Sequence, residues 1–303
     1  MTRPFRFGVQ VGEATDRHAW DRTARQAEAL GYATLVVPDH LVGPLAPLPA
    51  LVAAAYATTT LRVGTLVLAN DFRHPMVLAH EAATVDLLTD GRLELGLGAG
   101  WRADQYAAAG IDFDPPDVRV DRMIGAVEVV RTVLGGGTAA DDHGAAAPAG
   151  MTRPVQKSVP ILVGGGSRRV LAAAGRLADI VSVHHDLRGG VPRAADVTAE
   201  MTARKLEWVR AGAGHRFPEL ELEIGIGILW ITRNRRTVLD SLARSMELSV
   251  SQVAEQPAVL VGSVNGIADQ LRHRRERYGF SYIVVMGGQM HAAAPLVEML
   301  SGT

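Results

Sequence analysis

Four short polar or glycine-rich segments each follow an apolar, β-type run, and their residue types are those that do chemistry at strand ends. Asp39-His40 follows Thr34–Pro38 (TLVVP). Histidine changes charge near neutral pH and an adjacent carboxylate can orient it, so the pair suits general acid–base work. Its plainer role is a loop Asp that caps a turn. Gly98-Ala99-Gly100-Trp101 follows Leu93–Gly98 (LELGLG), where small residues let a flat ligand or a phosphate reach the backbone. GLGAG departs from the GxGxxG dinucleotide fingerprint and stands in the fourth strand–helix unit rather than the first. Gly164-Gly165-Gly166-Ser167 leads straight into a helix. Free N–H groups there make an anion site, and Arg168 and Arg169 in the first turn oppose the helix dipole unless an anion offsets them. Otherwise this is a flexible turn with two solvated arginines. His184-His185-Asp186 follows the run Ile180–Val183. No further ligand stands at helical spacing, so a metal is not expected, and the histidines are either pocket-lining or surface-loop residues. His74 precedes a helix-opening proline and reads as a cap. Asp141-Asp142-His143 reads as solvated loop, and Trp20, Trp208 and Trp230 read as packing.

The elements that must position these segments alternate along the chain. Strand-type runs are Phe5–Val11, Thr34–Pro38, Arg62–Leu68, Leu93–Gly98, Ile161–Val163, Ile180–Val183, Glu221–Trp230 and Tyr282–Val285. Helical periodicity fills most gaps, with Thr15 capping the first helix and Gly31 stopping it. Residues 135–158 break the rhythm and read as an excursion. Eight strand–helix units imply parallel pairing with right-handed crossovers and a closed (β/α)8 barrel, with an open doubly wound sheet as runner-up. In LELGLG the leucines share one face, while Glu94, Gly96 and Gly98 share the other. A leucine face toward helices and a small or polar face toward a crowded interior suit the barrel better than a strand buried in apolar contacts on both sides.

Composition narrows the function. The 303 residues carry 31 Lys+Arg against 32 Asp+Glu, a net charge of −1, which excludes a strong electrostatic case for nucleic acid or an anionic membrane. With 48% hydrophobic and 21% charged residues the chain is ordinary globular material. The absence of cysteine removes disulfides, thiolate metal sites and a Cys nucleophile, and fits a reducing, cytoplasmic setting. No signal-peptide or membrane-span pattern stands out, and residues 1–303 are expected to form one barrel domain.

The runs LVVPDHL (35–41), RVGTLVLANDFRHPMVLAHEAATVDLLTDGRLELGLGAGW (62–101), RPVQKSVPILVGGGSRRVLAAAGRLADIV (153–181) and VGSVNGIADQLRHRRERYGFSYIVV (261–285) together resemble the luciferase-like monooxygenase superfamily, and within it the F420-dependent oxidoreductase branch. The resemblance implies a (β/α)8 TIM barrel with an insertion around 135–158 and a deazaflavin or flavin at the mouth. It implies that Asp39 contacts the ring and that His40, near its reactive carbon, is proton donor or acceptor. Leu66-Val67 matches a bulge with a non-proline cis peptide behind the ring. Asn70, Gly98, Ala99 and Gly100 would line the cofactor, and Gly164, Gly165, Gly166 and Ser167 would hold its phosphate. Trp101, His184 and His185 would shape the substrate pocket. Two departures stand out. The sugar-phosphate dehydrogenases of this branch have a Trp where this chain has Gly43-Pro44, and a Glu where it has Trp101, so a less polar small substrate is expected. The expected function is hydride transfer between coenzyme F420 and a small organic molecule, in a homodimer. The alternatives are an FMN-dependent monooxygenase using oxygen and a non-catalytic flavin- or deazaflavin-binding protein. A phosphosugar isomerase or aldolase is a distant fourth, since no lysine stands at a strand end.

Overall fold

The computed structural model describes residues 3–43, 45–137, 148–186 and 194–303. Asp141-Asp142-His143, Pro44 and the middle of the 135–158 excursion lie outside the described residues. The strands are β1 (Arg6–Gln10), β2 (Thr34–Val37), β3 (Arg62–Thr65), β4 (Leu68–Ala69), β5 (Leu93–Gly98), β6 (Ile161–Gly165), β7 (Ile180–Val183), β8 (Glu221–Ile226), β9 (Ile228–Ile231), β10 (Val259–Gly262) and β11 (Phe280–Met286). The helices are α1 (Arg17–Ala29), α2 (Pro47–Ala57), α3 (Pro75–Leu88), α4 (Ala103–Ala109), α5 (Pro116–Leu134), α6 (Arg168–Leu177), α7 (Ala199–Ala213), α8 (Arg235–Met246), α9 (Val250–Glu255), α10 (Val264–Tyr278) and α11 (Met290–Leu300).

Strands pair in parallel in the order β3-β2-β1-β11-β8-β7-β6-β5-β4, and β3 meets β5 through Val63↔Leu93 and Gly64↔Glu94. That last pairing closes the sheet into a parallel (β/α)8 barrel, because β4 continues the path of β3 after a break at Leu66-Val67. The two faces of β5 divide as its alternation requires. Leu93, Leu95 and Leu97 join the large core under the helices, where burying each leucine contributes about 1.5–3 kcal/mol. Glu94 points inward, accepting from Arg6 Nη1 and Arg62 Nε, each at 2.7 Å. Above it, Val36, Leu66, Leu162, Ile180, Tyr282 and Val284 fill the barrel interior.

Several sequence expectations need correction. The run Glu221–Trp230 is two strands, broken at Gly227. β8 belongs to the barrel, whereas β9 leaves it and pairs with β10 in a separate two-stranded sheet. Trp230 is therefore 55% exposed rather than packed in the core. β10 (VLVG) has only four residues between helices, too short for periodicity to separate from a helix end. Asp16, not Thr15, caps α1, its Oδ1 accepting from Ala19 N at 2.8 Å. His74 does cap α3, accepting from Met76 N. Among the described residues no helix is long and apolar enough to cross a membrane.

Candidate active site

A cavity of about 1720 Å³ opens at the C-terminal ends of the barrel strands. This is the end where barrel chemistry sits. Asp39, His40, Leu66, Val67, Gly98, Ala99, Gly100, Trp101, the segment 164–167, His184 and His185 all line it. Asn70 does not: its side chain is buried and Nδ2 donates to Asp71 Oδ1 at 3.2 Å.

The Asp39-His40 pair is split in its partners. Asp39, buried just beyond β2, accepts from Ala69 N at 3.0 Å and receives both guanidinium nitrogens of Arg73, at 2.6 and 3.1 Å. Both carboxylate oxygens are engaged by this forked, charge-assisted contact. Asp39 thus anchors the strand-break segment and does not polarise His40. The partner of His40 is Gln105, on α4, whose Oε1 lies 3.3 Å from Nδ1. A carboxamide oxygen only accepts, so this contact is made by a proton on Nδ1. The Trp101 ring stands edge-on to the imidazole, with centroids 6.2 Å apart. The sequence concealed Arg73 and Gln105 because they lie 34 and 65 residues from their partners.

Behind this pair the Leu66–Val67 peptide bond is cis, and Val67 meets the glycines of β5 and β6. A Cβ at Gly98 would come within 2.6 Å of Val67 Cγ2, and one at Gly166 within 2.3 Å of the His185 carbonyl carbon. These two glycines are thus required by the packing of the chain on itself: the Val67 side chain fills the space beside Gly98, and the His185 backbone the space beside Gly166.

Ser167 caps α6, accepting from Val170 N at 3.4 Å. Arg169 pairs with Asp121, whereas Arg168 has no ion-pair partner among the described residues. The loop after β5 is pinned from outside. Arg119 donates to Ala99 O at 3.0 Å and to Gly100 O, and the Tyr106 hydroxyl lies 3.0 Å from Asp71 Oδ2.

At the far side of the cavity, Ser182 Oγ lies 2.6 Å from His184 Nε2 and is hydrogen-bonded to Glu223 Oε2 on β8. Burial pushes the Glu223 carboxyl up to about 8, against the smaller pull of the Ser182 hydrogen bond. Burial pushes His184 down to about 4, helped by His185 and Lys205. Lys205 Nζ reaches His184 O and Asp196 Oδ2, each at 2.8 Å, which ties α7 to the end of β7. Glu223 and Ser182 were not among the residues the sequence singled out, since nothing there sets them apart from other polar residues within strands. Among the described residues no cluster of three or more His, Cys, Asp or Glu could hold a metal ion.

A parallel eight-stranded barrel with a deep mouth cavity, a histidine beside it and a glycine-rich helix start is a small-molecule or cofactor enzyme by architecture. Residues 1–281 match the luciferase-like monooxygenase family, and the chain belongs to that family of oxidoreductases. An uncharacterized protein of Mycobacterium tuberculosis is 27% identical over 258 residues, covering 76% of this chain and 84% of that protein. An F420-dependent glucose-6-phosphate dehydrogenase of Microbacterium testaceum is 30% identical over 191 residues, covering 59% of this chain and 56% of the other. The F420-dependent tetrahydromethanopterin reductase of Methanopyrus kandleri superposes with a TM-score of 0.73 at 16% identity, covering 98% of each chain. The oxygenating constituent of 3,6-diketocamphane monooxygenase from Pseudomonas putida, in complex with FMN, gives 0.70 at 15%, covering 98% of this chain and 96% of that one. At these identities the two structures speak to the fold alone.

Proposed function

We propose that the protein is an F420-dependent oxidoreductase that moves a hydride between the deazaflavin and a small, weakly polar organic substrate, with His40 giving or taking the accompanying proton. The observation that carries this reading is convergence in one cavity: His40, the Val67–Gly98–Gly164 wall and the capped start of α6. The residues present fit such a group. Val67, packed closely on Gly98 and Gly164, offers a wall for a flat ring, and the first N–H groups of α6 suit a phosphate. Arg102, Arg168, Arg169 and Arg176 also line the cavity. Arg102, Arg169 and Arg176 are paired to Asp104, Asp121 and Glu128, so among the described residues Arg168, beside the start of α6, is the one of these four left for an anionic group. A curated relative named for its F420 dependence supports the same choice. When bound, the deazaflavin supplies a two-electron hydride donor or acceptor.

The chain's own residues do the rest. Asp39, locked by Arg73, holds the segment around Ala69 against the ring wall. Gln105 fixes the His40 tautomer, so Nε2 is the atom that accepts a proton from an alcohol substrate or, once protonated, returns one. Trp101 offers an apolar edge beside His40.

Two measurements test this. F420 and FMN are titrated separately into the protein with cofactor fluorescence as readout. Tighter binding of F420 is expected; tighter binding of FMN, or of neither, overturns the cofactor assignment. His40→Ala is then assayed with F420 and a panel of small alcohols and carbonyl compounds. Turnover should fall by about 10²–10⁴-fold with cofactor affinity nearly unchanged. An equal loss of both would sink the acid–base role.

A further inference from the structure

A carboxyl group in the middle of the barrel has no cation bonded to it. Glu223 is fully buried. Its Oε2 bonds to Ser182 Oγ, and its Oε1 has no hydrogen-bond partner among the described residues. A buried carboxylate with one bond and a bare oxygen is costly, whereas a neutral acid whose carbonyl oxygen goes unpaired costs far less. Ser182 Oγ continues from Glu223 to His184 Nε2 at 2.6 Å, and His184 lines the mouth cavity. The three side chains form one unbroken hydrogen-bonded line from the interior to the site.

We propose that Glu223, Ser182 and His184 form a proton relay in which Glu223 stores one proton and His184 exchanges it with the mouth cavity. The relay rests on that cavity being where the reaction takes place, and it is indifferent to which cofactor serves there. In the loaded state the Glu223 acid O–H donates to Ser182 Oγ, the Ser182 O–H donates to the lone pair of His184 Nε2, and His184 carries its proton on Nδ1. On discharge the Nδ1–H bond breaks and that proton passes to a ligand or water in the cavity. The Ser182 proton moves to Nε2 and the Glu223 proton to Ser182. The end state has a Glu223 carboxylate accepting from Ser182, which accepts from His184 Nε2–H. One proton has left, one negative charge remains on Glu223, and each hydrogen bond has reversed direction.

The surroundings permit both states. Arg6, Glu221 and Tyr282 face Glu223 from within the barrel, Arg6 favouring its ionised form and Glu221 opposing it. His185 and Lys205 face His184 and disfavour its positive charge, as does burial. An imidazolium therefore does not accumulate midway, which a relay through a neutral imidazole requires. The Lys205–Asp196 pair holds the backbone at His184 and keeps the ring in line.

The test uses the cofactor-free full chain. Infrared difference spectra across about pH 8 read the carboxylic-acid carbonyl band, and ¹⁵N NMR reads the His184 imidazole, assigned against His184→Asn. The expected result is loss of an acid band near that pH together with a His184 inflection at the same pH, both absent in Glu223→Gln. Ser182→Ala should keep the band loss and remove the His184 inflection. Absence of the acid band in the wild type, or survival of the His184 inflection in Ser182→Ala, overturns the relay. If Glu223→Gln fails to fold, the wild type and Ser182→Ala still decide. A protein that shows the coupled titration yet binds neither F420 nor FMN would refute the proposed function and leave the relay standing.

Discussion

Among the described residues, Glu94, Glu221 and Glu223 face the interior of the barrel, and they are treated in opposite ways. At the base, Glu94 accepts from Arg6 and Arg62, and Glu221 accepts from Arg6, every closest contact being 2.7 Å. Two positions further along β8, Glu223 has a serine and no bonded cation. Burial alone would make all three expensive as anions. At the base that cost is offset by forked guanidinium contacts, and the Arg6 guanidinium stacks 3.6 Å over the Tyr282 ring. Nearer the mouth the cost is left in place, and the carboxyl answers by keeping its proton. The base meets its carboxyl groups with arginine, whereas the layer above holds a carboxyl with no bonded cation, whose charge can come and go.

The largest expected effect comes from breaking the paired side. Arg6→Met leaves Glu221 without a bonded cation and Glu94 with only Arg62. Removing one partner of a buried ion pair typically costs about 3–5 kcal/mol, and the partial exposure of Arg6 argues for the lower end. Urea unfolding at neutral pH measures it. A loss under about 1 kcal/mol would mean that the base contacts are as loosely held as surface pairs.

The unpaired side should show itself as a pH dependence. The folded-state value for Glu223 is about 8 against an ordinary 4.5, so between these limits the folded chain holds a proton that the unfolded chain has released. Its stability contribution therefore falls as pH rises through that window, by at most about 1.4 kcal/mol per pH unit. His184 acts with the opposite sign. Its value is lowered from 6.5 to about 4, so stability is lost as pH falls below 6.5. The two nearly cancel between 4.5 and 6.5, and the Glu223 slope stands bare from 6.5 to about 8. Chemical unfolding across that upper range should show the decline in the wild type and a flat profile in Glu223→Gln. A decline of the same slope in the variant would assign it to another group.

This contrast was only half visible in the sequence. The barrel was legible because eight apolar runs recur with helices between them, and the LELGLG alternation even placed Glu94 inward. The departure of β9 from the barrel was not, since the apolar residues continue past Gly227 and only the pairing with β10, more than 25 residues on, shows that the chain has left. Local residue type did point to segments that line the mouth cavity, Asp39-His40 and the glycines before Ser167. The mouth was illegible where a role depends on a distant partner. Gln105 orients His40 from a helix that the sequence reading passed over, and Arg73 claims Asp39 from beyond the strand break. Glu223 illustrates the limit best. Glu221 and Glu223 sit on the same strand at the same parity, and their difference lies entirely in which strands neighbour them and where Arg6 ends.

The smallest effect tests whether the two layers feel each other. Glu221→Gln removes one charged contact to Arg6 while Glu94 and Arg62 remain, so the stability loss should be about 1–2 kcal/mol. Its more telling consequence is on Glu223. Glu221 is a like charge that raises the Glu223 value, and Arg6 an opposite charge that lowers it. The acid band should therefore disappear at a lower pH in Glu221→Gln and at a higher pH in Arg6→Met. Low-dielectric surroundings let such charges act without direct contact, whereas screening by penetrating water would erase both shifts. Displacements of opposite sign in the two variants would show that the paired base sets the pH at which the layer above it loads and releases its proton. No displacement in either would make the two layers independent.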